Sequence, residues 1–208
     1  MRIEDSVPKG AWRWLGISAA LVLLAIAMSI ALISAGVFDP KPQDKLAESF
    51  NIDQTLTVGG TQQIGWFDQS IPSDSYTIRL SANLMVGDLD SGYGLLLGNE
   101  DEYVGVAVSP LGYVTMWQSA SATEDTPQQL NILPWQTWPH VNTNQGSNEI
   151  WIDVREEMVS SVRLNREILW RGSVPLNEHY YGIWAESFAG PANIDFSLVE
   201  VFFDRSEE

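Results

Sequence analysis

The chain has 208 residues, enough for one ordinary domain plus an anchor and few for two domains. It has no cysteine and only two histidines, which excludes disulfides, thiolate metal sites, cysteine nucleophiles and a histidine-rich metal centre. The net charge is −16, and residues 39–208 hold 25 acidic against 8 basic side chains, a surface that repels phosphate backbones and excludes nucleic acid as a partner.

Residues 1–13 read as a short cytoplasmic segment. No side chain from Trp14 to Phe38 is charged, and Arg13 and Asp39 bracket the run. As a helix it is about 37 Å long, against a hydrocarbon core of roughly 30 Å, so membrane lipid is its expected partner. A signal-peptide core is shorter, about 7–15 residues. Ser34-Ala35-Gly36 nevertheless has the small side chains of a cleavage site, and removal of the segment is the counter-reading. Trp12 and Trp14 fall where an interfacial aromatic belt is expected, and Asp39-Pro40 stops the helix. Arg2, Lys9 and Arg13 precede the run, while Lys41 and Lys45 follow it. That bias predicts a single-pass protein of the cytoplasmic membrane with its N-terminus inside and its C-terminal domain outside. Gly16, Ala20, Ser29, Ala31 and Ala35 offer small positions for packing against a neighbouring helix.

Residues 39–48, with two prolines and mixed charges, read as a stalk. From residue 49 to 204 the pattern has period two. Between Tyr76 and Leu84 every even position is apolar, which predicts a strand with Leu80 buried and Arg79 exposed, so that truncating Arg79 changes little. The alternation returns at Val104-x-Val106-x-Val108, Ile150-x-Ile152-x-Val154 and Ile194-x-Phe196-x-Leu198. Gly59-Gly60, Pro72-Ser73-Asp74, Asp88 to Gly92, Gly98-Asn99, Gly146-Ser147-Asn148 and Gly190-Pro191 supply turns, so the expected class is an all-β sandwich or barrel. The stretch from Ser119 to Gln129 reads as a polar loop. Leu133 to Asn148, with Pro134, Trp135, Trp138 and Pro139, reads as a long and functional loop. Residues 205–208 form an acidic tail.

Several blocks in order resemble a concanavalin A-like, laminin-G-like β-sandwich of the kind carried by bacterial membrane-anchored surface proteins. They are Ile64-Gly65-Trp66-Phe67-Asp68, Tyr76-Thr77-Ile78-Arg79-Leu80, Gly92-Tyr93-Gly94-Leu95-Leu96-Leu97, the acidic turn Asn99 to Glu102 before Tyr103-Val104-Gly105-Val106, and Gly112-Tyr113-Val114-Thr115-Met116-Trp117. Asn148-Glu149-Ile150-Trp151-Ile152, Tyr181-Gly182-Ile183-Trp184 and Ile194 to Val201 follow. The resemblance implies a jelly roll over roughly residues 50–203. One hairpin departs from it. Where the family has Asn-Gly, this chain has Asn165-Arg166, and because arginine tolerates positive φ poorly a different turn is expected there.

Fold does not give function, since relatives with this sandwich bind sugars, bind proteins, hydrolyse glycans or space other domains. Glycan hydrolysis needs two carboxylates at a set separation. The nearest approach to a catalytic strand motif is Glu149, Asp153 and Glu156, at the wrong spacing, and His140 and His179 lie near no nucleophile motif. No catalytic residue is therefore expected. Calcium is a possible ligand at two acidic loops, Asp88 with Asp90 and Glu100 with Asp101; the alternative is that both are solvated turns. The second candidate is aromatic. By parity Trp151, Tyr113, Trp117 and Trp184 oppose core residues of their strands, where they stack on sugars, meet a protein, or pack away under the Leu133–Asn148 loop. The leading expectation is a non-enzymatic module binding a glycan or protein ligand outside the membrane. An accessory subunit of a larger membrane complex is the alternative, and a surface glycan hydrolase a second one.

Overall fold

The computed structural model describes residues 9–34, 41–42, 45–120 and 128–203. The chain divides into two compact units, Met1–Lys41 and Pro42–Glu208. The first contributes one helix, α1 (Lys9–Ser34), rich in alanine, leucine and isoleucine. Its span Trp14–Leu32 has mean hydropathy 2.5 and none of it is buried by protein, so it is long and apolar enough to cross a membrane. Nineteen residues of helix rise about 28 Å, close to the thickness of a hydrocarbon core. Residues 35–38 of the expected span lie outside the described residues, as do 121–127 and the acidic tail.

The second unit is two antiparallel sheets. The strands are β1 (Leu46–Val58), β2 (Gln63–Ser70), β3 (Tyr76–Gly87), β4 (Ser91–Gly98), β5 (Tyr103–Ser109) and β6 (Tyr113–Ala120). They continue with β7 (Gln128–Thr137), β8 (Asn148–Arg155), β9 (Met158–Leu164), β10 (Glu167–Pro175), β11 (Tyr180–Ser187) and β12 (Ala192–Phe202). The first sheet runs β1-β12-β3-β8-β9-β10 and the second β2-β11-β4-β5-β6-β7. Pairing therefore starts at Leu46, inside the expected stalk. β7 likewise takes Leu133 to Thr137 out of the expected long loop, because its pairing with β6 extends to Thr137 opposite Tyr113.

The core lies between the sheets. Ile78, Leu80, Ile150, Ile152, Ile194 and Phe196 from the first face Tyr93, Leu95, Val106, Met116 and Ile183 from the second. Alternation puts these side chains inward because successive residues of a strand point to opposite faces. Asn148, buried at the start of β8, ties the adjoining loop to this frame. Its Nδ2 donates to the Tyr93 hydroxyl at 2.8 Å, and its Oδ1 accepts the Asn142 N–H and the Asn165 amide, both at 2.8 Å.

The hairpin at Asn165-Arg166 corrects the expectation of a different turn. Both residues have positive φ, 50° and 74°, between the paired Leu164 and Glu167. This is the two-residue hairpin that Asn-Gly would make, with arginine bearing the left-handed backbone. Glu156-Glu157 repeats it between Arg155 and Met158, with φ of 51° and 61°. A left-handed L-residue costs about 1–2 kcal/mol, of which glycine's extra freedom in the unfolded chain returns about 0.4–1. Glu157→Gly is therefore expected to stabilise the domain by about 0.5–1 kcal/mol. A rise in the urea midpoint at unchanged slope is the readout, and a fall would show that the turn is not of this form.

Candidate functional site

The outer face of the second sheet is floored by small residues at its centre. Gly94 and Ala107 pair across β4 and β5, Gly105 pairs with Trp117, and Gly182 pairs with Leu96. These gaps receive flat rings. A Cβ on Gly105 would stand 2.3 Å from the Trp117 ring, one on Gly92 3.0 Å from Trp184, and one on Gly182 2.9 Å from Trp66. Trp117 and Trp184 meet edge to face with centroids 5.3 Å apart and, with Leu96 and Ala107, form a second apolar cluster outside the main core. Edge-to-face contact suits the quadrupoles of the two rings.

β7 builds the wall. Its register against β6 shifts twice between Val114 and Trp117, around Pro134. Proline is tolerated there because β7 is an edge strand. Such irregularity bends a strand and re-aims its side chains. Trp135 thereby reaches back over the sheet, so that a Cβ on Gly92, three strands away, would lie 3.2 Å from its ring. The result is a groove of about 430 Å³, lined by the indoles of Trp117, Trp135 and Trp184 and by polar groups that include Gln62, Asn131 and Glu186. The Gln62 carbonyl accepts the Trp184 Nε1–H at 3.3 Å, and Thr115 at the floor donates to the Leu133 carbonyl at 3.0 Å.

Among the described residues Glu186 is the only carboxylate in the lining. Partial burial raises its pKa above the ordinary carboxylate value. A carboxyl with a raised folded-state pKa contributes stability below its unfolded pKa and loses that contribution as pH rises through the folded one. Ionisation of Glu186 therefore works against the fold, as it often does for functional groups.

The four rings expected on one platform are divided. Trp151 lies in β8 of the first sheet, whereas Tyr113, Trp117 and Trp184 lie in the second. All do sit on the outer faces, as parity requires, but only Tyr113 is open, at 40% exposure, against 2% for Trp151 and 4% each for Trp117 and Trp184. Tyr113 belongs to a neighbouring cleft of about 300 Å³ that it shares with Asp90, Leu111, Phe188 and Trp135. Trp135 stands between the two spaces, packed edge to face on Phe188 at 6.3 Å. Trp151 is held by the Arg79 guanidinium, 5.2 Å from its ring centroid, and donates its Nε1–H to Glu149 at 2.5 Å.

Of the carboxylates considered for catalysis, Glu149 and Asp153 are engaged by neighbouring strands of the first sheet, and Glu156 sits exposed in the turn after β8. Glu149 pairs with Arg79 at 3.5 Å, and Asp153 accepts from Thr77 at 2.7 Å and from Ser161 at 2.5 Å. The acidic loops expected for calcium lie at opposite ends of β4, Asp88 and Asp90 before Ser91 and Glu100 and Asp101 after Gly98. Eight strand residues separate them by about 25 Å. In each loop one side-chain oxygen is engaged by its own turn: Asp88 Oδ1 accepts the Asp90 N–H and Asn99 Oδ1 accepts the Asp101 N–H, both at 2.9 Å. Among the described residues no group of three or more His, Cys, Asp or Glu is placed to hold a metal. Sequence reasoning missed Glu186 and Trp135 as groove residues. In the sequence Trp135 reads only as part of a loop, and Glu186 carries no local signal beyond lying two residues from Trp184.

No protein-family model matches the chain, and no curated protein matches it in sequence. Solved structures do match in shape. A glycoside hydrolase family 16 endo-glucanase from Bacteroides ovatus is similar with a TM-score of 0.52 at 10% identity, covering 71% of this chain and 80% of that one. The carbohydrate-binding module CBM66 from Bacillus subtilis is similar with a TM-score of 0.50 at 11% identity, covering 74% of this chain and 93% of that one. The second unit is a concanavalin A-like jelly-roll β-sandwich, as the ordered sequence blocks implied. The neighbours include both a hydrolase and a binding module, so the fold is compatible with either activity.

Proposed function

We propose that this protein is a non-catalytic glycan-binding module, anchored by α1 in the cytoplasmic membrane with the sandwich on its outer side. The observation that carries the reading is the groove on the second sheet, where three indoles line a space edged by amide, hydroxyl and carboxylate groups. Sugars present apolar ring faces and a rim of hydroxyls, and a concave site of aromatic walls with a few polar groups complements both. The likeness to a structure named as a carbohydrate-binding module supports the reading, and a lining with one carboxylate among the described residues supports binding over hydrolysis, which uses two. The basic residues Lys9 and Arg13 before the apolar span support the orientation.

Trp135 is the ring to test, because at 40% exposure it faces the groove without carrying the core. Full-length protein in detergent micelles, titrated against an oligosaccharide panel by calorimetry, is expected to bind at least one member. Trp135→Ala is expected to weaken that binding by about 2 kcal/mol or more, roughly thirtyfold, with little change in melting. Undiminished binding would remove the groove as the site. Cleavage of a panel member by the wild type but not by Glu186→Gln would make the protein a hydrolase.

A further inference from the structure

Glu186 has no counter-charge in the groove. Among the described residues no lysine, arginine or histidine lines the space, and none gives the Glu186 side chain a hydrogen-bonding or ion-pair partner. Its backbone pairs with Gly92, the residue over which Trp135 and Trp184 converge. A partly desolvated carboxylate in a groove lined by indole rings is chemistry that recognises an organic cation. The ring quadrupoles attract positive charge, and the carboxylate accepts a charge-assisted hydrogen bond. The surrounding field acts in the same direction, because residues 39–208 carry 25 acidic and 8 basic side chains. It repels uronate, sulfate and phosphate groups and concentrates cations.

We propose that the groove selects a glycan bearing a free protonated amine, an amino sugar lacking its N-acyl group, with the ammonium held by Glu186 beside the Trp135 and Trp184 rings. This inference rests on the groove being a glycan site. An N-acylated sugar has no charge to offer, and an acidic sugar brings the wrong one, so selection follows from the Glu186 carboxylate and from a described lining that holds no cation.

The test uses the full-length protein in detergent micelles and three oligosaccharides of equal length on one β-1,4-linked glucopyranose backbone: the glucosamine oligomer, the N-acetylglucosamine oligomer and the glucose oligomer. At mildly acidic pH and low salt the glucosamine oligomer is expected to bind about tenfold tighter than the other two, the worth of one charge-assisted hydrogen bond. The preference is expected to shrink as salt rises. Glu186→Gln should bring the ratio of affinities to about one. Glu178→Gln removes the same charge from an exposed position outside the groove and should preserve the ratio. Equal affinity of the wild type for all three sugars overturns the amine preference and leaves the groove a glycan site. A ratio eroded equally by both variants overturns the role of Glu186 and assigns the preference to the general field. Binding of none of the three overturns the amino-sugar assignment; if the wider panel also fails to bind, the glycan reading falls with it.

Discussion

Trp151→Ala is expected to destabilise the sandwich by about 3–5 kcal/mol, the range for removing a buried tryptophan, while leaving sugar affinity per folded molecule unchanged. The ring is 2% exposed although it lies on the outer face of its sheet. Arg79 covers it, and Glu149 accepts its Nε1–H. Removing the indole opens a cavity, withdraws the cation–π partner of Arg79 and leaves one acceptor of Glu149 to be satisfied again by water. Urea unfolding of the full-length chain followed by near-ultraviolet circular dichroism measures the loss. A change below about 1 kcal/mol would show that the ring is not packed in this way. Loss of sugar affinity in the folded fraction would place the binding face on the first sheet instead of the second.

This residue also shows where sequence reasoning stops. Alternation tells which face of a strand a side chain occupies, and it did so for Trp151, Trp117 and Trp184. It does not tell whether that face is covered. Coverage here comes from non-local partners: Gly105 across from Trp117, Gly92 beneath Trp184, and Arg79 across from Trp151. Glycines at 92, 94, 105 and 182 were visible as parts of family-like blocks, but their use as beds for flat rings needs the register between strands. Strand adjacency was equally hidden. β8 and β6 read alike in sequence, and only the crossover order places one in each sheet. The groove combines residues from β5, β6, β7 and β11, and its wall depends on an irregular register in β7 that no local pattern announces. The two acidic loops are the opposite case. The eight residues of β4 between them were legible as a strand, so the two loops stand as separate places in the fold.

Leu80→Ala and Arg79→Ala test the two faces of a single strand, and both are expected to be costly. Leu80 is fully buried between the sheets, so its truncation should cost about 2–5 kcal/mol. The alternation predicted that residue correctly and underestimated its neighbour. Arg79 is only 20% exposed, makes a two-pronged contact with Glu200, pairs with Glu149 at 3.5 Å and lies over both Trp151 and Phe202. An exposed ion pair is worth about 0–1 kcal/mol, and breaking a buried one costs about 3–5. Arg79 stands between these limits, and its replacement by alanine should cost about 2–3 kcal/mol. Most of that loss comes from what remains: Glu200 without its cation, Glu149 left with Arg166 at 3.7 Å, and two rings that have lost their cover. The double substitution Arg79→Ala with Glu200→Ala separates the contributions, because it removes one stranded charge together with its partner. A coupling energy of about 1–2 kcal/mol in that cycle is expected. A coupling near zero, with Arg79→Ala still costly, would mean that the guanidinium acts mainly as a lid over Trp151 and Phe202, and that the ion pairs contribute little.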